Sequence, residues 1–115
     1  MIKYMPAIPV KLESIEMATR ACEFDMPSDR ETGSLLRMLC AENPKGRFLE
    51  IGTGTGLSAC WMLDGMDDQS TLLSTDSDEK VIGIARRHLS DSRVSFVVKD
   101  GLEAIIDLRT RPKIT

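Results

Sequence analysis

One stretch decides the fold: Phe48-Leu49-Glu50-Ile51-Gly52-Thr53-Gly54-Thr55-Gly56, in which an apolar strand runs directly into three alternating glycines. A helix is predicted to follow at once, from Leu57 to about Leu63. Glycine allows positive φ and lets the backbone approach a ligand closely. In a doubly wound sheet, ligands bind beside such a loop, at the carboxyl ends of the strands. The stretch therefore predicts a ligand-binding strand–loop–helix unit.

The rest of the chain extends this pattern on both sides. Strands are predicted at 47–51, 71–75 and 93–98, and a fourth begins at 113–115. Helices are predicted at 10–24, 28–41, 57–63, 77–89 and 102–108, and Ser28 with Glu31 forms a capping box at the start of the second. Alternating strands and helices indicate an α/β fold, a Rossmann-like doubly wound parallel sheet behind N-terminal helices. We expect one partial domain over 1–115, comprising a helical segment, 1–46, and a βαβαβ core, 47–115.

The glycine spacing and one carboxylate bear on the ligand. A dinucleotide fingerprint is G-x-G-x-x-G, whereas Leu57 directly follows Gly56, so the pattern here is G-x-G-x-G. Glu50 stands two residues before Gly52. A carboxylate there would repel a pyrophosphate, and it suits the cationic amino group of S-adenosylmethionine.

The stretch from Leu49 to Gly56 resembles motif I of the class I S-adenosylmethionine-dependent methyltransferases. Residues 26–108 are similar to the small O-methyltransferases of the catechol and caffeoyl-coenzyme A type. The resemblance implies that Glu50, Gly52 and Thr53 contact the methionine part of the cofactor. Gly54 and Gly56 complete the cofactor-binding loop. The resemblance also implies transfer of a methyl group to a small molecule, with S-adenosylhomocysteine (SAH) as product.

Two acids compete for the cofactor's ribose, whose adjacent hydroxyls suit one carboxylate. Asp76 ends the second strand, about 20 residues after the loop, and is favoured. Asp78 is predicted to cap the following helix instead.

Three further positions rest on the resemblance. Asp100 and Gly101, after the third strand, correspond to residues beside the adenine, although Asp-Gly alone also predicts a turn or a cap. Thr32 and Gly33 correspond to the start of a helix that touches the cofactor's carboxylate, and a helix N-terminus suits an anion. A well-capped surface helix is the alternative for that segment.

The resemblance also has a boundary. In the metal-dependent members, the divalent ion and the catalytic base are held on and after a fourth strand. This chain ends at Thr115, about where that strand would begin. We therefore expect a sheet truncated after its third strand, no metal ligands, no assignable catalytic residue, and no activity from these 115 residues alone.

An unpaired sheet edge follows from the same truncation. The first strand, 47–51, should be buried on both faces by its helices while one edge stays open. We therefore expect a homo-oligomer formed through this edge. The alternatives to an enzyme half are a non-catalytic cofactor-binding or assembly module and, disfavoured by Leu57, an NAD-dependent dehydrogenase fragment.

Composition narrows the partners and the compartment. The net charge is −3 with acids and bases interspersed, so the basic cluster of a nucleic-acid or anionic-membrane surface is missing. No apolar run approaches the ~20 residues of a membrane span. Cys22, Cys40 and Cys60 form no Cys-x-x-Cys pair and are expected to be buried thiols. Together with an N-terminus unlike a signal peptide, these features predict a cytoplasmic protein.

Overall fold

The structure is a computed structural model that describes residues 7–22 and 29–110. From the first strand onward, strands and helices alternate. The elements, in chain order, are α1 (Leu12–Ala21), α2 (Arg30–Ala41), β1 (Arg47–Ile51), α3 (Leu57–Gly65), β2 (Thr71–Asp76), α4 (Glu79–His88), β3 (Val94–Val98) and α5 (Gly101–Thr110). Within these described ranges, none of the helices has the length and apolar character needed to cross a membrane.

The three strands form one parallel sheet in the order β1-β2-β3, which confirms the predicted α/β architecture. The pairing is regular: Glu50 is opposite Ser74, and Ser74 is opposite Phe96. Because side chains alternate along a strand, these three residues lie on one face of the sheet. β2 is the central strand, and β1 and β3 are its neighbours.

The hydrophobic core lies on that same face. Leu72 and Phe96 of the sheet are buried there with Trp61 of α3, Ile82 of α4 and Ile15 of α1. α1 and α4 each contribute one apolar side to this cluster, as the three- and four-residue spacing predicted, whereas α3 is buried over most of its surface.

The opposite face of the sheet is only partly covered, so the expectation that β1 is buried on both faces was wrong. Leu49 is 37% exposed and Ile51 is 47% exposed. In the described part of the chain, α5 packs on this face, against β2, and its Ala104 is buried outside the main core cluster. One helix cannot cover both β1 and β2, and two apolar side chains of β1 therefore face solvent.

Local corrections concern helix ends and one thiol. α1 is shorter than the predicted 10–24. Asp29, not Ser28, caps α2, because its Oδ1 accepts the Thr32 amide at 2.7 Å. Ser28 itself and the fourth strand expected at 113–115 lie outside the described residues. Cys22 is exposed, which contradicts its expected burial, whereas Cys40 and Cys60 are buried.

Candidate functional site

The glycine-rich loop is shaped by positive φ angles that glycine adopts readily. Gly52 has a φ of 94°, and a Cβ added there would meet no atom within 4 Å. Gly56 has a φ of 101°, and its missing side chain leaves room for Ala85 of α4, 3.0 Å from the Cβ position. Gly52 therefore borders open space where a ligand can approach the backbone, while Gly56 allows the end of the loop to pass close to α4.

The loop is tied to the end of β2. The amides of Gly52 and Thr53 both donate to the Thr75 carbonyl oxygen, at 2.7 and 2.9 Å. The next amide in the loop, that of Gly54, donates to Asp76 Oδ2 at 2.9 Å. Residues separated by more than twenty positions are thus held as one ledge at the carboxyl ends of β1 and β2.

Asp76 is held from two sides. Besides the Gly54 amide on Oδ2, its Oδ1 accepts the Asp78 amide at 2.8 Å. Asp78 directs its own carboxylate to the Lys80 amide at 2.9 Å and caps α4, as predicted. A carboxylate has about four lone-pair positions, so Asp76 keeps acceptor capacity after these two bonds.

Glu50 carries a carboxyl group in a strongly perturbed environment. The pKa of Glu50 is raised to about 7, mainly by burial and to a lesser extent by the nearby negative charge of Asp76. A hydrogen bond from Ser74 Oγ to Glu50 Oε1, 2.6 Å long, acts in the opposite direction. Such a carboxyl is costly to ionise alone, and a cation placed beside it would favour the charged form.

Ser74 is a site residue that sequence analysis missed. Its side chain is fully buried, and it contacts both Glu50 Oε1 and Thr53 Oγ1 at 2.6 Å. The alternation of a strand was the available signal, because Ser74 stands two residues before Asp76 on the same face. The Thr53 side chain, predicted to contact the cofactor, is buried in this contact with Ser74. Its role as a cofactor contact stays a prediction.

A small cavity of about 130 Å³ lies at the ends of the three strands. Gly52, Asp76 and Gly101 line it together with Thr75 and Lys99. The Thr75 hydroxyl is buried and has no hydrogen-bond partner among the described residues. The structure thus brings three predicted site residues together around a polar atom whose hydrogen bonding is incomplete.

Asp100 has a local role in the structure. It is exposed, and its Oδ1 accepts the Leu102 amide at 2.8 Å, at the start of α5. The neighbouring Gly101 comes close to β1: a Cβ there would lie 2.7 Å from Ile51 Cγ2. The proposed contact of Asp100 with adenine stays a prediction.

Thr32 and Gly33 lie in the first turn of α2. A Cβ on Gly33 would lie 2.2 Å from Trp61 Cδ1, so this glycine allows α2 to pack on the indole of α3. The Thr32 amide is already bound by the Asp29 carboxylate. These contacts explain both residues structurally, and their contact with a cofactor also stays a prediction.

A larger cavity, of about 490 Å³, shares no lining residue with the loop. Lys11, Asp64, Asp91 and Arg93 line it together with apolar side chains. Arg93 is bound there to Asp91 and to the carbonyl oxygen of Leu63. Within residues 7–22 and 29–110, no three His, Cys, Asp or Glu side chains converge as metal ligands. The candidate site is therefore the ledge formed by the loop and the strand ends.

No known protein-family model matches the sequence. Among curated proteins, the chain is 31% identical over 62 residues to one from Mycobacterium ulcerans (strain Agy99) that bears the name "Putative O-methyltransferase". The match covers 54% of this chain and 28% of that relative.

Solved structures resemble the chain over a greater length. The O-methyltransferase from Bacillus cereus in complex with SAH superimposes with a TM-score of 0.79 at 22% identity, covering 90% of this chain and 49% of that one. Cofactor-bound Rv0187 from MTB gives 0.78 at 27% identity, covering 89% and 49%. The SAH-bound Podospora anserina methyltransferase PaMTH1 gives 0.73 at 26% identity, covering 85% and 45%.

The chain spans about half the length of these solved structures. Its three parallel strands and their helices reproduce the fold shared by that half. The chain therefore has the Rossmann-like fold of the S-adenosylmethionine-dependent O-methyltransferases and resembles about half of such a protein.

Proposed function

We propose that this chain is the cofactor-binding half of an S-adenosylmethionine-dependent O-methyltransferase. One observation carries the proposal: the half-buried carboxyl of Glu50 and the fixed carboxylate of Asp76 flank one glycine-rich ledge. The names and bound cofactors of similar proteins give it independent support. The acceptor is a small molecule with an oxygen nucleophile, and the protein is cytoplasmic.

The residues present fit the cofactor's groups. Glu50 binds the ammonium, because a cation restores the charge that burial disfavours. Asp76 accepts from the two ribose hydroxyls with the lone pairs left by its backbone partners. Gly52 offers backbone that no side chain covers. The small cavity lined by Thr75, Asp76 and Gly101 would lie beside a ribose held by Asp76.

Alignment is the chemical task of such a site. The bound cofactor supplies a sulfonium methyl group that is electrophilic toward an oxygen nucleophile. Glu50 and Asp76 would hold the methionine part and the ribose, on the two sides of the sulfonium, and thereby fix its orientation, which would lower the entropy cost of an in-line displacement. The catalytic base, the acceptor pocket and the ligands of any divalent metal are assigned to no residue of this chain.

The domain boundaries follow from this division. We assign 1–46, with α1 and α2, to a helical segment and 47–115 to the cofactor-binding core of one partial domain. The helical segment packs on the core through the Gly33–Trp61 contact. Because methyl transfer needs an acceptor pocket as well, the 115 residues alone do not turn over.

A second copy of the chain is the partner proposed for the edge of β1 with which no other described strand pairs. Leu49 and Ile51 give this edge strand an apolar face exposed to solvent, and such edges template pairing with another strand. Pairing across a two-fold axis would satisfy the backbone of both copies. The same surface is what a non-catalytic assembly module would use, so cofactor binding must be measured separately from association.

Titration calorimetry tests the proposed function. The purified chain should bind S-adenosylmethionine and SAH and should leave NAD unbound. Tight binding of NAD, with no heat from either sulfur-containing ligand, would favour the dehydrogenase alternative. Association without any cofactor binding would favour the assembly module.

A further inference from the structure

A chain of three side chains links the loop to β1 through β2. Thr53 Oγ1 lies 2.6 Å from Ser74 Oγ, and Ser74 Oγ donates to Glu50 Oε1 over another 2.6 Å. Ser74 is fully buried and Thr53 is nearly so. The register explains the arrangement, because Ser74 pairs directly with Glu50 on the adjoining parallel strand.

The hydroxyl protons of Thr53 and Ser74 have only one possible arrangement when Glu50 is ionised. A carboxylate only accepts, and a serine hydroxyl has one proton, so Ser74 must donate to Glu50. Ser74 then accepts from Thr53, and both hydroxyl protons point toward the carboxylate. A protonated Glu50 could instead donate to Ser74, which would reverse the direction of both hydrogen bonds. The direction of these hydrogen bonds is therefore coupled to the charge of Glu50.

We propose that Ser74 is a positioning residue of the cofactor site: its hydroxyl holds Glu50 ionised and oriented toward the cofactor's ammonium, and couples that carboxylate to Thr53. This inference rests on the proposed function. It assigns to Ser74 no contact with the cofactor. The serine acts through Glu50, whose carboxyl group it holds in a fixed position relative to the loop.

Opposing influences act on Glu50. Burial and the negative charge of Asp76, at the end of β2, raise the pKa of Glu50, and the Ser74 hydroxyl lowers it. Without the hydroxyl, the two raising influences are unopposed. The pKa of Glu50 then rises above about 7, and less of the protein carries the charge that binds an ammonium at neutral pH.

The experiment compares Ser74→Ala with Thr19→Val in the full chain. Thr19 is the matched control, because its buried hydroxyl also makes a 2.6 Å bond to a loop residue, Thr55, and not to Glu50. The titration midpoint of the Glu50 carboxyl is followed by ¹³C NMR without ligand, and Glu50→Gln assigns the signal. Ser74→Ala should raise the midpoint by about one pH unit, the scale of a hydrogen bond to a charged group. Thr19→Val should leave it unchanged.

Calorimetry at pH 7 supplies the second readout. Ser74→Ala should bind S-adenosylmethionine about fivefold more weakly than wild type, because a rise of one unit from about 7 lowers the ionised fraction of Glu50 at pH 7 from about one half to about one tenth. An unchanged Glu50 midpoint in Ser74→Ala, or an equal shift in Thr19→Val, would overturn the inference. If the alanine variant does not fold, Ser74→Cys, with a similar shape and a weaker donor, should shift the midpoint in the same direction.

The two proposals fail separately. A wild-type chain that binds neither S-adenosylmethionine nor SAH contradicts the proposed function, whereas the midpoint without ligand still decides whether Ser74 acts on Glu50. A wild-type chain that binds, with a variant whose midpoint and affinity are both unchanged, contradicts only the role of Ser74.

Discussion

The backbone amide of Gly54 donates to the Asp76 carboxylate at 2.9 Å, and this bond joins the loop after β1 to the end of β2. The two residues are 22 positions apart in sequence. A side chain proposed to bind the ribose is thus also a support of the loop proposed to bind the methionine part. Asp76 therefore has two roles, and a test of its substitution must compare binding with stability.

Replacing Asp76 by Ala should weaken binding of S-adenosylmethionine by about 1.5–3 kcal/mol, the scale of hydrogen bonds to a charged group. Asp78→Ala is the control. It removes the cap of α4 but keeps the backbone amide that Asp76 accepts, so it should lower stability by about 1 kcal/mol and leave binding nearly intact. Calorimetry and chemical denaturation of both variants measure the two effects. A greater loss of binding in Asp78→Ala would reverse the assignment of the two acids.

Glu50 should make the stability of the ligand-free chain depend on pH. Its pKa is about 7 in the folded chain and near 4.3 when unfolded, so the folded state holds the extra proton between these values. The free energy of unfolding should therefore fall as pH rises from about 4.3 to 7, and Glu50→Gln should lose this component. Urea denaturation at pH 5 and pH 7.5 measures the difference. A wild-type chain that gains stability over this range, relative to Glu50→Gln, would contradict the raised pKa.

Gly33 and Gly83 form a matched pair of helical glycines. An added Cβ on Gly33 would collide with Trp61, so Gly33→Ala should lower stability by about 1–3 kcal/mol, as overpacking does. A Cβ on Gly83 in α4 meets nothing within 4 Å, so Gly83→Ala should raise stability by about 0.5–1 kcal/mol. Thermal denaturation distinguishes the two. Equal effects of both substitutions would mean that α2 does not pack on Trp61 as described.

The edge of β1 that faces away from β2, which pairs with no strand among residues 7–22 and 29–110, should make the chain self-associate. Leu49→Lys places a charge on the exposed apolar face of this edge strand and should shift the chain toward monomer. Met17→Lys is the control, because Met17 is an exposed apolar residue of α1, remote from the sheet edge in sequence. Sedimentation velocity reports the state of each protein, and a monomeric wild type would refute edge pairing.

Catalysis by the isolated chain is a separate matter. Neither monomer nor oligomer should transfer methyl groups to catechol-type acceptors in the presence of magnesium, because association supplies no acceptor pocket. Turnover by a monodisperse monomer would show that the chemistry resides within these 115 residues.

Local chemistry made much of this molecule predictable. The glycine spacing after an apolar strand gave the loop, and the carboxylate of Asp78 two residues before Lys80 gave the cap of α4, because both depend on neighbours in sequence. The partner of Glu50 was harder to predict. Alternation puts Ser74 on the same face as Asp76, but only the register between β1 and β2 brings its hydroxyl to Glu50.

Burial of β1 could not be predicted from its own residues. The sequence pattern identifies Leu49 as an apolar strand residue, but it does not show whether a helix or solvent covers the side chain. The cap of α2 shows a smaller ambiguity of the same kind. Serine and aspartate both suit an N-cap, and the choice of Asp29 depends on where the first turn begins.

The carbonyl oxygen of Thr75, a residue of the central strand β2, accepts hydrogen bonds from two amides of the loop. This arrangement has a thermodynamic consequence. β2 is bonded on both sides, so its amides should be among the slowest to exchange with deuterium. Because the loop is hydrogen-bonded to β2, it becomes ordered when the sheet forms, and its conformational entropy is lost during folding. A ligand arriving later meets a receptor that is already ordered, and less of its binding enthalpy is cancelled by immobilising the protein.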